Sequence, residues 1–593
     1  MGTTATITAT MTSRIRSTRN IRSRVYLSIA LVAVLAWGTA FLAPGSRFWD
    51  DWVVDHEILK SAQEAGQPWA GYVIVALSAI GIWAFKVVAL GTTIVVGWMT
   101  YEISGRSLGL RPRERLLLAM LMVALPLNTA RMIAVLDIYA WSLALFFVAW
   151  YLLVSKSPSS PGRARYVVAT LIFLVSYGTG SLLLFTLLPI AHLAYLALSR
   201  NVPLWQGALR FALRFWYLFL APVVFWVVRT LFLQPYGLYK GYNRIGLAGG
   251  LSNPHTVDAL ALSATLVFVV LVVASWLFAR ATSHARIARR LSLGALAATT
   301  GGMGYFLLEN RASLAYTARV IPVTLLLCAL ILLATAIFPI GHSRTPDDDM
   351  RIESGDREVT PLLAVALVAL ILAIVPYLLV GKLPSFHQWE TRHQLLMPLG
   401  VAIIIVATMR ALSGIFPLSA VRLVALGLVT VFTFVSLTVS LKLVADWRKQ
   451  AQVIEALAKD PLVRRASIVV FSDRAPRLNY DARGFNFYEY TGWLGEAFGT
   501  ESRLGIDRTS VPSFLRGDFQ HFQDAASRYG FAEYRKPTHG VLIQIIPIEG
   551  ASWWTLLAGE PGVSLRVTPI ASWTKLAAES RSASATPVPT GTG

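Results

Sequence analysis

Apolar residues in this chain come in long runs. Runs near 20 residues, the length that spans about 30 Å of hydrocarbon, recur from Val25 to Leu443. They fall at 25–42, 80–101, 116–134, 138–154, 166–177, 181–198, 215–233, 259–279, 291–308, 316–339, 361–380, 395–409 and 423–443. The pattern predicts a polytopic α-helical membrane protein with about 13 transmembrane helices. Two short runs, 166–177 and 181–198, are separated by Tyr177-Gly178-Thr179-Gly180 and read as a helix pair or one broken helix. Outer-membrane barrels are excluded, because their strands are only about 10 residues long and alternate in polarity.

After residue 443 the pattern changes. Residues 446–460 carry Val453, Ile454, Leu457 and Ala458 at helical spacing. Residues 466–471 and 541–546 are short apolar, β-branched runs and read as buried strands, and 488–498 reads as another helix. A small C-terminal extracytoplasmic α/β domain over 444–579 follows, with a disordered Ser/Ala/Thr/Pro/Gly tail at 580–593. Residues 25–443 form the transmembrane domain. Residues 1–24 hold five arginines and no acid and read as a disordered, basic, cytoplasmic N-terminus. A cleaved signal peptide is the rival reading; the long flank and the many later spans disfavour it.

Composition agrees. The chain has 593 residues, 55% hydrophobic and 14% charged, against roughly 25% charged in soluble domains. Its one cysteine, Cys328, lies in an apolar run, so no intramolecular disulfide forms. The net charge of +21 would suggest nucleic acid in a soluble protein. Here it marks membrane orientation, and no nucleic-acid module is present. With the N-terminus inside, the inner loops hold 24 Lys and Arg and the outer loops 8. That excess places the N-terminus in the cytoplasm and residues 444–593 outside, with the chain in the cytoplasmic (inner) membrane.

The first outer loop carries the sharpest signal: Ser46-Arg47-Phe48-Trp49-Asp50-Asp51-Trp52-Val53-Val54-Asp55-His56-Glu57. Two adjacent carboxylates follow the first span closely, between tryptophans that favour the membrane interface. Carboxylates near the membrane plane are costly unless hydrated, paired or functional. The bland alternative is a solvated anchoring loop.

This arrangement resembles the GT-C class of integral-membrane glycosyltransferases. The resemblance rests on Asp50-Asp51 in the first outer loop, the many spans, a long helical first outer loop (51 to about 71) and the outer C-terminal domain. It implies transfer of a sugar from a polyprenyl-phosphate-linked donor to an envelope glycan or glycolipid acceptor at the outer face. It also implies a loop carboxylate as general base, with Asp51 favoured and Asp50 its partner, and inverting single displacement.

The leaving phosphate needs positive charge. The outer-facing cations Lys86, Lys240, Arg311, Arg319 and Arg392 are therefore donor-phosphate candidates, although each alone is more simply a snorkelling or locally paired cation. Lys382 and Arg131 are also placed outside. Trp49, Trp52, Tyr239, Tyr242, Glu309 and His387 are candidates for holding sugar or acceptor, against the alternative of an interfacial aromatic belt. No cofactor is expected. Asp50, Asp51 and Asp55 would be the ligands if a divalent cation is used. The Asp347-Asp348-Asp349 run reads as part of a solvated inner loop. No P-loop, HExxH or GxSxG motif is present. The rival functions are a lipid-linked-sugar transporter or flippase, which predicts ionisable residues deep in several spans, and a non-catalytic membrane subunit that binds envelope polymer.

Overall fold

The computed structural model describes residues 22–53, 58–107, 109–155, 163–197, 204–241, 346–380, 382, 388–413, 416–500, 502–518 and 539–585. Three expected spans (259–279, 291–308 and 316–339) and the site candidates Asp55, Tyr242, Glu309, Arg311, Arg319 and His387 lie outside the described residues.

Among the described residues, four helices are long and apolar enough to cross a membrane: Arg22–Leu42, Ile82–Arg106, Ala134–Val154 and Leu418–Lys459. A fifth crossing results if the bent pair Gln206–Arg214 and Trp216–Phe232 is one span. Shorter apolar helices cover Pro68–Ile80, Ala164–Thr179, Leu182–Leu196, Pro361–Tyr377 and Met397–Ser413. The chain is thus a helical membrane protein, but not all thirteen runs are full-length spanning helices. The run 116–134 shows why. Its helix, Pro112–Ala124, stops before Pro126, which cannot donate a helical bond and restricts the residue ahead of it. Short 3-10 turns at Thr129–Met132 and Ala134–Leu136 follow. Residues 346–360, expected as inner loop, begin the helix Pro346–Leu378.

The helices share one large apolar core, in which Phe146, Phe147, Phe173, Phe185, Ala366 and Ala402 are buried. Polar ties mark its two ends. At one end Arg410 Nη2 meets Glu114 Oε2 at 2.5 Å, joining two segments expected on the same side. Tyr26 likewise donates to Glu102 at 2.7 Å. At the other end the first loop meets the C-terminal domain: the Trp52 and Trp447 rings lie 5.9 Å apart. The first loop and the C-terminal domain are therefore packed against each other.

The first loop is not one helix. A 3-10 turn covers Trp49–Val53, and helices cover Ile58–Glu64 and Pro68–Ile80. Gly66, at φ 71°, and Pro68 impose the break.

The last span and the first domain helix form one continuous helix, Leu418–Lys459, because neither glycine nor proline interrupts 428–460. It ends where Asp460 caps a new turn, accepting from the Leu462 and Val463 N–H groups ahead of which sits Pro461. The domain sheet has strands β1 (Ile468–Asp473), β2 (Leu504–Asp507), β3 (Gly540–Pro547) and β4 (Val563–Pro569), ordered β2-β1-β3-β4. β1 runs parallel to both neighbours, and β4 is antiparallel to β3. Val453, Leu457, Phe471, Trp493 and Ile543 pack between the long helix, the sheet and helix Phe487–Phe498. Residues 580–585, expected in the tail, continue helix Trp573–Ala585, and Ser580 is buried there.

Candidate functional site

The acidic pair lies in the tight 3-10 turn Trp49–Val53, whose first residue adopts left-handed backbone (φ 47°). The turn points its two carboxylates into different surroundings. Asp51 is fully buried. Its Oδ2 accepts from the backbone N–H groups of Phe48 and Ala134, each at 3.1 Å, and its Oδ1 accepts from Val135 N–H at 2.8 Å. Burial pushes its carboxyl upward, and the nearby Lys86 charge and the three N–H donors pull it back. Asp51 thus bolts the first loop to the turns before helix Asp137–Val154. Three backbone N–H groups hold its oxygens, so Asp51 has a structural task whatever its part in chemistry.

Asp50 is half-buried and faces elsewhere. The Tyr488 hydroxyl bonds its side chain, and Arg392 and Asp51 lie within its electrostatic reach. Burial raises its carboxyl above the usual range. Tyr488 and Arg392 oppose that shift, and the Asp51 charge adds to it.

Arg392 belongs to the 3-10 segment Gln388–Gln394. Its neighbour Thr391 pins that segment: Thr391 Oγ1 accepts from Ala130 N–H at 2.9 Å and from Thr129 Oγ1 at 3.1 Å. Arg392 and Arg229 both act on Lys382, whose ammonium burial and these two cations lower to about 8, with Tyr139 also in range. Arg229 ends helix Trp216–Phe232. It reaches so close to Gly180 that a Cβ there would stand 2.6 Å from its Nη1. Arg392 thus lies within electrostatic reach of both Asp50 and Lys382, and Arg229 within reach of Lys382. Such a set of charges suits a phosphate.

Behind the turn lies a buried ionic network from the C-terminal domain. Arg483 is buried between Asp446 (Nε to Oδ2, 2.9 Å) and Glu489 (Nη1 to Oε1, 2.6 Å). Its guanidinium lies 4.3 Å from the Trp49 ring centroid. Glu489 Oε1 also accepts from Trp49 N–H at 3.1 Å. Lys449 joins in, donating to Asp473 at 2.7 and 2.9 Å and to Asn479 Oδ1 at 2.6 Å. The two acidic partners raise the Arg483 pKa further, against the burial that would lower it.

Other expected site residues sit differently. Lys86 is 1% exposed and donates to the Met132 carbonyl at 2.5 Å, so it serves the fold beside Asp51 and does not face a phosphate. Trp49 and Trp52 are each 2% exposed. Arg483 covers one ring, and Trp447 lies against the other, so neither offers a face to a sugar. Tyr239 is half-buried in a 3-10 turn that packs on the first-loop helix through the Tyr236 N–H to Glu64 carbonyl bond of 2.9 Å, and Lys240 is exposed beside it. Among the described residues no contact joins Lys240 to Asp50. Among the described residues, no three His, Cys, Asp or Glu converge as a metal site, and the expected ligand Asp55 lies outside them.

Sequence reasoning missed Arg229, Tyr488 and the Arg483 network. A cation in the last turn of an apolar helix was the available signal for Arg229. Asn486 followed three residues later by Glu489 is a legible capping box, and both of its bonds form. No family model matches the chain, and no curated protein is detectably similar to it in sequence.

Proposed function

We propose that the chain is a membrane glycosyltransferase of GT-C type, moving a sugar from a polyprenyl-phosphate-linked donor to an envelope glycan or glycolipid acceptor. One observation carries the reading. A half-buried carboxylate, Asp50, lies within electrostatic reach of Arg392, and Arg392 acts together with Arg229 on Lys382, a set of charges suited to a lipid-borne phosphate.

The acceptor hydroxyl gives its proton to an Asp50 oxygen as its own oxygen bonds the anomeric carbon. The bond between that carbon and the phosphate oxygen breaks, and the electron pair leaves with the polyprenyl phosphate. The three cations hold the charge that grows on the leaving oxygen. A raised carboxyl pKa makes Asp50 a better proton acceptor. Tyr488 orients it. Asp51 keeps the turn in place. One carboxylate and a weakly basic leaving group suit a single displacement with inversion.

The test is mass analysis of envelope glycans and lipid-linked sugars in a strain lacking this chain. Loss of one glycan with build-up of its lipid-linked donor is expected. Wild-type protein should reverse both changes. Asp50→Asn should reverse neither while reaching the membrane at wild-type level. Full complementation by Asp50→Asn would sink the proposal.

A further inference from the structure

A cleft of about 260 Å³ opens between the long helix and the C-terminal domain, lined by Lys442, Arg477, Asn479, Asp481 and Trp553 and by none of Arg392, Lys382 and Arg229. Its height relative to the bilayer follows from the helix itself. Between Arg422 and Lys442 lie 19 residues without a charge. At 1.5 Å per residue they cover about 28 Å, close to the roughly 30 Å hydrocarbon thickness. Leu423, Leu426, Val431 and Phe434 on this stretch are exposed, as lipid-facing side chains are. Lys442 therefore stands where hydrocarbon gives way to headgroups, and the cleft opens at that level.

The lining fits that location. Lys442 and Arg477 are both exposed and present two cations to the opening. Trp553 stacks on Trp554 at 3.8 Å, and Trp554 is 60% exposed, the placement indole rings favour at a membrane surface. Asp481 adds one carboxylate on the rim, an acceptor for hydroxyl groups. The wall is stiff. Asp481 and Ala482 both hold left-handed backbone, at φ 52° and 48°. Asp446 fixes the turn from below by accepting Tyr480 N–H at 2.9 Å, and Asn479 Nδ2 donates to the Arg483 carbonyl at 2.6 Å.

We infer that this cleft binds the headgroup of an anionic phospholipid carrying hydroxyls, with its phosphate between Lys442 and Arg477 and a headgroup hydroxyl donating to Asp481. The site ties the C-terminal domain to the adjacent leaflet. It does so through the turn that carries Arg483, so bound lipid steadies the backing of the Trp49 turn.

The test uses the full-length protein in a neutral detergent. Short-chain phosphatidylglycerol should raise its Tm by a few degrees, as any ligand of the folded state does. Phosphatidylcholine of equal chain length should not. Lys442→Gln/Arg477→Gln, two exposed positions, should keep the basal Tm and lose the rise. Asp481→Ala, which removes the acceptor, should respond equally to phosphatidylglycerol and phosphatidic acid, where the wild type prefers the former. Native mass spectrometry should count fewer retained phosphatidylglycerol molecules on the double variant. Equal stabilisation by phosphatidylcholine, an undiminished response in the double variant, or a response to polyprenyl phosphate alone would overturn the inference.

Discussion

Trp49 N–H donates to Glu489 Oε1 at 3.1 Å across 440 positions of sequence. That oxygen also accepts from Arg483, whose guanidinium lies against the Trp49 ring. One residue of the C-terminal domain thus holds the backbone of the acidic turn, and a second holds its side chain. Trp49 keeps its unfavourable left-handed conformation because both grips act together. Arg483→Met should therefore cost about 3–5 kcal/mol, because Asp446 and Glu489 lose their buried counter-charge. Chemical or thermal unfolding of the purified protein reads this. A loss below about 1 kcal/mol would show that the network is not a structural tie.

The two adjacent aspartates should behave differently. Asp50→Asn should fold as the wild type and lose about 10²–10⁴-fold in transfer rate, the usual contribution of a general base. Asp51→Ala leaves three buried N–H donors without their acceptor, and each unsatisfied group costs about 1–3 kcal/mol. It should appear first as lost stability or poor membrane accumulation. Limited proteolysis alongside the rate assay separates the two. A stable, inactive Asp51→Asn with an active Asp50→Asn would reverse the assignment.

Transfer should have an acidic limb above the ordinary Asp value of 3.8, because burial and Asp51 raise the Asp50 carboxyl. Activity falls as pH drops through that raised value, where the base becomes protonated. The limb should vanish from the residual activity of Asp50→Asn. A limb unchanged in that variant would assign it to another group.

Donor binding should weaken as pH rises through about 8, where free Lys382 loses its proton. Bound phosphate favours the charged ammonium, so donor should move the transition upward. Lys382→Gln should bind weakly at all pH values and show no transition there. Arg392→Ala or Arg229→Ala should each cost about 2–5 kcal/mol in donor binding, the range for truncating one member of a buried charge pair. Equilibrium binding of a polyprenyl-phosphate donor analogue checks all three. Unchanged affinity would dissolve the phosphate assignment.

Gly492 marks the contact between the first loop and the domain. A Cβ there would lie 2.6 Å from Trp52 Cε3. Gly492→Ala should cost about 1–3 kcal/mol by overpacking, although alanine suits a helix better than glycine. Trp52→Phe should recover part of the loss in a double-mutant cycle. Independent, additive effects would show that the two do not press on each other.

The sequence by itself determined what depends on solvent and on near neighbours. Long apolar runs declare membrane helices because hydrocarbon cannot satisfy an exposed backbone. Strands β1 and β3 and helix Phe487–Phe498 were legible for a similar reason, since their side chains share one buried environment. β4 was overlooked although Val563, Leu565 and Val567 alternate towards the core. The acidic pair was visible as a pair. Which carboxylate is held by backbone N–H groups and which lies within reach of Arg392 was decided only by tertiary structure, because Asp51's donors include residues 134 and 135. The same holds for Arg229, which looks like an ordinary helix-end cation until Gly180 and Lys382 stand beside it. Arg483 lies in a polar stretch that hydropathy reads as surface. It is buried because Asp446 and Glu489, from two different helices, neutralise it. Compensation of that kind acts between distant residues, and no local pattern in the chain encodes it.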